Sequence, residues 1–394
     1  MGLKQAKPGL VGVGVTAIQS IFQFLVLSVL ALSFGVEQVG AFSFINAILI
    51  VVFMLFSLGL RQGYVLEHNS FGYRTFYYLR LISLLIASLV SWLIVSLINP
   101  EYLMLFFPLC LYRLTELMSE LQWAEYQTKH KFELIFYSQG GRYLVCSIVF
   151  IVLSFLFQDF SSAIWAYAIS GCIYIVLLDG RNIYRKIQQD QQKLQLVACF
   201  NKFWPLSIGL TAMSFQNNGS RFFLGLFAGD YVLGLFSIAY QLFNMPYMAF
   251  MSAANFYLKK MPKNLAEKRF GLKKLYVISF IFTGVCLLLW ALLGNFLIEI
   301  FFGEAFKVIY IPVVIVLTAA LFRYLAYCHQ WRMMSEGLYS NIAKHQVVLS
   351  IFITLISFYA IYVYGYHGAY SALVFSCFCY YGYFAYLDRH EKRS

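Results

Sequence analysis

Long apolar stretches alternate with short polar connections along the whole chain. Twelve of these stretches are long enough to cross a bilayer, which takes about 20 helical residues. Their approximate limits are 10–34, 40–66, 76–98, 102–125, 132–157, 161–182, 203–227, 231–257, 275–298, 308–333, 341–363 and 366–387. The pattern therefore predicts an all-α, polytopic membrane protein with about twelve transmembrane helices.

Composition agrees with that pattern. Of 394 residues, 61% are hydrophobic and only 12% are charged, and the mean hydropathy is +0.72. A soluble domain is about a quarter charged, so this chain lies far outside the globular range. Its eight cysteines lie within or beside apolar stretches and form no CxxC pair, which favours small buried hydrophobic side chains over a metal site.

The charge of the connections alternates along the chain. One set is rich in cations: Lys4, Lys7, Arg74, Lys129, Lys131, the runs within 181–202 and 259–274, Arg332, Lys344, Arg389, Lys392 and Arg393. The other set is acidic: Glu37, Glu101, Asp159, Asp230, Glu299 and Glu304, with Lys307 as its one cation. The positive-inside rule makes the first set cytoplasmic, so both termini are predicted to be cytoplasmic. The net charge of +12 thus reflects membrane topology and gives no reason to expect a nucleic acid partner.

The chain divides into two related lobes. The sequence GVEQVGAFSF at 35–44 aligns with GDYVLGLFSI at 229–238, and LYRL at 111–114 resembles LFRY at 321–324. Both matches fall at equivalent stretches of two six-helix halves, which predicts a parallel repeat of lobes 1–182 and 203–394, as in many transporters. The Gln-rich connection 183–202 is predicted to be a cytoplasmic linker, either a surface helix or a solvated loop.

Several arginines are predicted to lie deep in the membrane. Arg113 is about 11 residues inside its stretch, or roughly 16 Å deep at about 1.5 Å per residue. The same arithmetic puts Arg142 and Arg323 near the middle and Arg221 in the outer half. Arg61 and Arg80 fall near the inner surface, where we expect them to snorkel. Because the sequence places too few acids near the deep arginines to pair them all, the pattern predicts a cationic cavity for an anionic ligand.

Polar residues accompany these arginines. Glu116 and Glu120 follow Arg113 at i+3 and i+7, so the three share one helix face. The face is either interhelical glue or a cavity lining, with the two glutamates serving ion coupling or charge balance. Asn217 and Asn218 are candidates for cavity lining at a break in the seventh stretch, although helix–helix hydrogen bonding explains them equally well.

Motifs for metal binding, nucleotide binding or catalysis are scarce. The six histidines have no metal-ligand spacing, and neither a Walker A sequence nor a dinucleotide fingerprint occurs. No metal, cofactor or enzymatic activity is predicted.

The stretch SRFFLGLFAGDYVLGLFSIAYQLFNMP at 220–246 resembles spans seven and eight of bacterial Wzx-type polysaccharide flippases. These belong to the multidrug/oligosaccharidyl-lipid/polysaccharide exporter superfamily. The segment GVEQVGAFSFINAILIVVFMLFSLGLRQG at 35–63 is similar to span two of the same family. The resemblance implies transfer of an undecaprenyl-diphosphate-linked oligosaccharide across the bacterial inner membrane, for O-antigen or another surface polysaccharide. It also implies polysaccharide polymerase and chain-length proteins as partners.

The chain departs from the family in two places. Ser220 stands where family members often have an acidic residue, which affects ion coupling, and span one lacks the proline of multidrug members. The main alternative is a cation-coupled multidrug exporter of the same fold, for which only Glu116 and Glu120 would supply carboxylates. A membrane-embedded polymerase or acyltransferase is a third reading, but the predicted outer loops are too short for it.

Overall fold

A computed structural model of the protein describes residues 2–259, 265–335 and 339–390. Within these ranges the regular structure is helical throughout, without strands, which confirms the predicted all-α membrane fold. The α-helices are α1 (Gly2–Phe34), α2 (Val36–Phe56), α3 (Leu60–Ile98), α4 (Leu103–Thr128), α5 (Phe132–Ile135), α6 (Gly141–Phe157), α7 (Phe160–Ile175), α8 (Arg181–Gln189), α9 (Leu196–Phe227), α10 (Gly229–Lys259), α11 (Leu265–Phe302), α12 (Tyr310–Ser335) and α13 (Tyr339–His390). Residues 260–264, Lys392 and Arg393 of the predicted cytoplasmic cation set lie outside the described ranges.

Eight stretches within the described residues are long and apolar enough to cross a membrane. Two of them contain a reversal of the chain: Val36–Ile98, with non-helical backbone at Gly72, and Ile342–Asp388, with non-helical backbone at Gly365. The helices α4 and α10 are also long enough, but polar and charged residues lower their hydropathy. The eight stretches, the two reversals and the helices α4 and α10 together give one membrane-crossing helical segment, here called an arm, for each of the twelve predicted stretches. The chain is therefore a multi-pass membrane protein.

The chain forms two compact units. The first comprises Met1–Val26 and Ala41–Asn218, and the second comprises Leu27–Gly40 and Gly219–Ser394. In the first unit α4 packs against α3 and α7, and in the second α12 packs against α11 and α13. The fourth and tenth arms therefore occupy equivalent places among their neighbours, as the parallel repeat requires. The lobe boundaries at residues 182 and 203 remain a prediction.

The repeat is also visible in the backbone that precedes α2 and α10. Gly35 has a φ of 86° and Gly229 a φ of 81°. This left-handed region favours glycine because a side chain would clash with the following carbonyl. A single residue separates the two helices at each place, Gly35 between α1 and α2 and Ala228 between α9 and α10, so the matched sequence motif encodes a matched sharp turn.

The structure shows whether the linker is helical and whether the seventh arm is broken. α8 covers the first part of 183–202 and α9 covers its end, while residues 190–195 are irregular, so the linker is partly helix and partly loop. The carboxylate of Asp190 accepts hydrogen bonds from the backbone of Arg74 at 2.7 Å and of Gln192 at 3.0 Å. The expected break at Asn217 and Asn218 is wrong, because α9 continues through both residues.

Arg80 does not snorkel, contrary to expectation. Its side chain is fully buried, and its Nη2 pairs with Glu120 Oε2 at 3.1 Å. Its Nη1 donates to the carbonyl of Ser57 at 3.4 Å, in the turn that separates α2 from α3. Gly59 ends that turn with a φ of 58°. A broken helix leaves carbonyls without intrahelical partners, and Arg80 satisfies one of them instead of reaching the membrane surface.

Candidate functional site

In the first unit, the predicted charges of α4 meet a tyrosine of α6. Arg113 and Glu116 form an ion pair one helical turn apart, and Tyr143 donates to Glu116 Oε1 at 2.6 Å. The Arg113 side chain is 24% exposed and that of Glu116 is 10% exposed. Arg113 is thus the accessible member of the pair, while Glu116 is anchored from two sides.

Arg142 lies beside this pair but is far less accessible. It is 1% exposed, its guanidinium carbon lies 4.4 Å from the centroid of the Tyr112 ring, and its Nη2 donates to the Tyr112 carbonyl at 3.4 Å. Tyr112 in turn stacks on Tyr167 with a centroid separation of 4.2 Å. Arg142 is therefore held inside the helix packing and contributes its charge from within.

Two of the three inward-facing arginines of the first unit form ion pairs. Arg113 pairs with Glu116, and Arg80 pairs with Glu120. Arg142 interacts electrostatically with Glu116 and also with Asp179, a carboxylate that is 1% exposed. Arg113 therefore has an acid partner, whereas Arg142 forms no ion pair within the described residues. Asp179 was not among the predicted residues, although an aspartate inside the predicted stretch 161–182 was a signal for it.

The second unit contains a different arrangement, in which arginines lie against tyrosine rings. The Arg323 guanidinium carbon is 3.5 Å from the centroid of Tyr380 and 5.6 Å from that of Tyr247. That of Arg221 is 4.4 Å from the centroid of Tyr240. Tyr240 interacts electrostatically with both arginines, so the two cations lie in one neighbourhood.

This arginine–tyrosine cluster is made by four helices of the second unit: α9, α10, α12 and α13. Among the residues the structure describes, no carboxylate forms an ion pair with Arg323. The one acid of α13 is Asp388, which is already bound by His329 at 2.9 Å and Arg332 at 3.1 Å. Cation–π contacts stabilise guanidinium groups without neutralising them. Arg323 therefore keeps its positive charge and suits an anionic ligand.

The two asparagines are placed differently from one another on α9. Asn217 is exposed, whereas Asn218 is buried and donates to the carbonyl of Ser214 in its own helix at 2.9 Å. Neither placement tests a role in cavity lining, which stays a prediction. Over the described ranges, no group of three or more His, Cys, Asp or Glu residues is arranged to hold a metal ion.

The chain was compared with known proteins at the level of sequence. No family model matches it. The capsular polysaccharide biosynthesis protein CapF of Staphylococcus aureus is 25% identical over 372 residues, which cover 92% of this chain and 93% of the relative. This is a distant similarity over nearly the whole length of both proteins.

Solved structures resemble the chain more clearly. The lipid II flippase MurJ, in an inward closed conformation, has a TM-score of 0.74 at 13% identity, covering 96% of this chain and 87% of MurJ. A mutant of the Vibrio cholerae MATE transporter VcmN has a TM-score of 0.61 at 12% identity, covering 98% and 97%. At such low identity the likeness concerns the fold alone. The chain therefore has the fold that MATE transporters share with the flippase MurJ.

Proposed function

We propose that this protein is a flippase that moves an undecaprenyl-diphosphate-linked oligosaccharide across the bacterial inner membrane. The product would serve O-antigen or another surface polysaccharide, with polymerase and chain-length proteins acting after it. The observation that carries the proposal is the arginine–tyrosine cluster of the second unit, where Arg323 lies within 3.5 Å of a ring centroid and pairs with no described carboxylate. Two further findings support it: MurJ has the same fold, and CapF takes part in capsular polysaccharide biosynthesis.

A diphosphate is the part of such a substrate that needs protein contacts most. Its charge cannot cross hydrocarbon without a polar path. Guanidinium groups bind phosphate oxygens through two parallel hydrogen bonds, which an ammonium group cannot do. Stacking on Tyr380 occupies one face of the Arg323 guanidinium and leaves its N–H edge for such bonds. Tyrosine hydroxyls nearby offer hydrogen bonds to sugar hydroxyl groups.

The Arg113–Glu116 pair adds a second cation, Arg113, whose charge becomes available only when Glu116 is displaced. In the substrate-free protein Glu116 neutralises Arg113 and is itself held by Tyr143. A diphosphate competes with Glu116 for the exposed guanidinium, while Tyr143 and the neighbouring Arg142 continue to stabilise the displaced carboxylate. Arg113 therefore binds the anion reversibly, which transport requires because the ligand must also leave.

The test is complementation of a strain lacking the gene. We expect Arg323→Ala and Arg113→Ala each to abolish flipping, Lys at either position to retain part of it, and Glu116→Gln to impair it less. Lys307→Ala is the matched control, since that cation is 43% exposed and pairs with Glu299 and Glu304 at the surface. The measurements are outer-leaflet lipid-linked oligosaccharide and membrane abundance. Fully active, well-expressed Ala variants would refute the cationic mechanism.

The alternative is a cation-coupled multidrug exporter, because MATE transporters have this fold. Such a protein needs carboxylates for cationic drugs, and both predicted candidates are bound by arginines: Glu116 by Arg113 and Glu120 by Arg80. A deletion strain distinguishes the two functions. Accumulation of lipid-linked sugar with unchanged drug sensitivity supports the flippase, and drug sensitivity without sugar accumulation supports the exporter.

A further inference from the structure

The two faces of helix α8 have different surroundings. Its inner face packs on the first unit, where Ile183 is 7% exposed and belongs to a buried hydrophobic cluster shared with α3 and α4. Lys186, on the same side, pairs with the buried carboxylate of Glu125 at 2.7 Å. Asn182 donates to the hydroxyl of Tyr126 at 3.0 Å. These contacts hold α8 against the first unit, so the groups on its outer face have a fixed position.

The outer face of α8 presents two arginines one helical turn apart. Arg181 and Arg185 are both exposed, and Tyr184 between them is 62% exposed. Residues four apart lie on the same side of a helix, so the two guanidinium groups are neighbours. Within the described part of the chain, neither arginine side chain forms an ion pair or a hydrogen bond, in contrast to Lys186. The face therefore offers two available guanidinium groups.

An apolar surface leads directly to this face. α7, the π turn Val176–Gly180 and α8 form one helical run, Phe160–Gln189. The side chains of Val176 and Leu177 are 69% and 73% exposed, as expected where a helix faces lipid tails. Leu177 precedes Arg181 by four residues, so the exposed surface changes from apolar to cationic within one turn. Such a change is typical of a helix that leaves the hydrocarbon core.

The length of the run places the arginines at the level of lipid headgroups. With Phe160 at one edge of the hydrocarbon core, a rise of about 1.5 Å per residue puts Arg181 roughly 32 Å and Arg185 roughly 38 Å along the helix. The hydrocarbon core is about 30 Å thick, and the headgroup layer adds roughly 5–8 Å on each side. Tyr184 is of a residue type that is enriched at this interface. Both guanidinium groups therefore reach the layer that contains the lipid phosphates.

We propose that Arg181, Tyr184 and Arg185 bind the headgroup of an anionic phospholipid, such as phosphatidylglycerol, in the leaflet on the predicted cytoplasmic side. Guanidinium groups bind phosphate oxygens through paired hydrogen bonds. The Tyr184 hydroxyl accepts from Gln188 Nε2 at 2.6 Å, which leaves its own hydrogen for a headgroup oxygen. A zwitterionic headgroup carries a cation that two adjacent arginines repel, so the face favours a lipid with net negative charge. This binding does not depend on which substrate is transported.

The experiment uses the purified full-length protein in phosphatidylcholine nanodiscs that contain increasing fractions of phosphatidylglycerol at constant ionic strength. We expect the wild-type Tm to rise with that fraction and to saturate, because a lipid that binds only the folded protein stabilises it. In Arg181→Gln/Arg185→Gln the half-saturating fraction should increase by roughly fivefold for each lost cation. Arg181→Lys/Arg185→Lys should lie between the two, because an ammonium group keeps the charge but not the paired hydrogen bonds.

The matched control is Lys131→Gln/Lys193→Gln, which removes two exposed cations from loops on the same predicted side of the membrane. It should keep the wild-type response. Soluble glycerol 3-phosphate should not reproduce the rise in Tm, because it has no tails to hold it at this interface. The proposal is overturned if the wild-type Tm is independent of phosphatidylglycerol, if the full response survives in Arg181→Gln/Arg185→Gln, if the lysine control loses it equally, or if glycerol 3-phosphate alone gives the same rise. None of these readouts uses flipping, so failure here is separate from failure of the flippase proposal.

Discussion

Gly40 packs directly against the backbone of Asp230, so closely that a Cβ atom at Gly40 would overlap the Asp230 carbonyl oxygen. The contact is reciprocal, because a Cβ atom at Gly234 would overlap the carbonyl oxygen of Val36. Gly40 is equivalent to Gly234 in the aligned motifs, and Val36 is equivalent to Asp230. The same contact is therefore made twice, once from each motif to the other. Such a reciprocal contact is characteristic of two segments related by a two-fold axis. The repeated glycines thus let α2 and α10 approach each other.

This close approach predicts the sign of two glycine substitutions. In a helix, Gly→Ala normally stabilises by roughly 0.5–1 kcal/mol. At Gly40 and Gly234 we expect the reverse, a loss of about 1–3 kcal/mol, because the backbones must separate. Gly284→Ala is the control, since nothing lies within 4 Å of its Cβ position in α11. Thermal unfolding in nanodiscs measures all three, and a stabilising effect at Gly40 would contradict the close contact.

The Arg80–Glu120 pair predicts a strong effect on stability. Arg80→Ala leaves the Glu120 carboxylate and the Ser57 carbonyl without their buried partner, which typically costs about 3–5 kcal/mol. The double variant Arg80→Met/Glu120→Gln removes both charges and should recover much of that loss. Unfolding midpoints for both variants decide the point. Arg61→Ala is the control, because Arg61 is half-buried and lies 5.6 Å from the Trp123 ring centroid.

The alternating loop charges predict the orientation of the protein in the membrane. Fusions of a cytoplasmic reporter after Lys193 and after Lys274 should be active, because the positive-inside rule assigns both connections to the cytoplasm. A periplasmic reporter should be active after Asp159, which belongs to the acidic set. Periplasmic activity after Lys193 would show that the predicted orientation is reversed.

The start of α7 predicts a pH dependence. Asp159 is its N-cap, and its Oδ2 accepts from the backbone of Ser162 at 2.8 Å. Hydrogen bonds from Ser162 lower the pKa of Asp159 below its ordinary value of 3.8. A lowered folded-state pKa means that the cap stabilises the protein above the unfolded-state value and stops doing so as pH falls through the folded-state value.

We therefore expect Asp159→Ala to lower Tm at neutral pH, by a difference that shrinks as the pH falls below about 3.8. Asp159→Asn should keep the cap without this pH dependence, because an amide oxygen also accepts the Ser162 hydrogen bond. Unfolding curves at several pH values measure both variants. An Asp159→Ala effect that is constant across this pH range would show that the charge of the cap is irrelevant.

The sequence by itself determined the features that lie within one helix or one turn. The apolar stretches predicted the twelve arms because bilayer thickness fixes the length of a crossing helix. The i, i+3 spacing of Arg113 and Glu116 predicted their ion pair, since helical periodicity makes such residues neighbours. The motif match between Gly35 and Gly229 likewise found two turns with the same backbone conformation.

Tertiary structure decided the partners that are distant in the chain. Arg80 and Glu120 are 40 residues apart, and Ser138 and Asp179 are 41 apart. Helical periodicity says which residues share a face, but the neighbour that this face meets depends on how the helices cross. Depth arithmetic therefore could not show that Arg80 is buried against Glu120, and it could not find the tyrosine rings around Arg323. The surroundings of Asp179 likewise depend on the tertiary structure, because Ser138 and Asp179 come from separate helices that meet only in the folded protein.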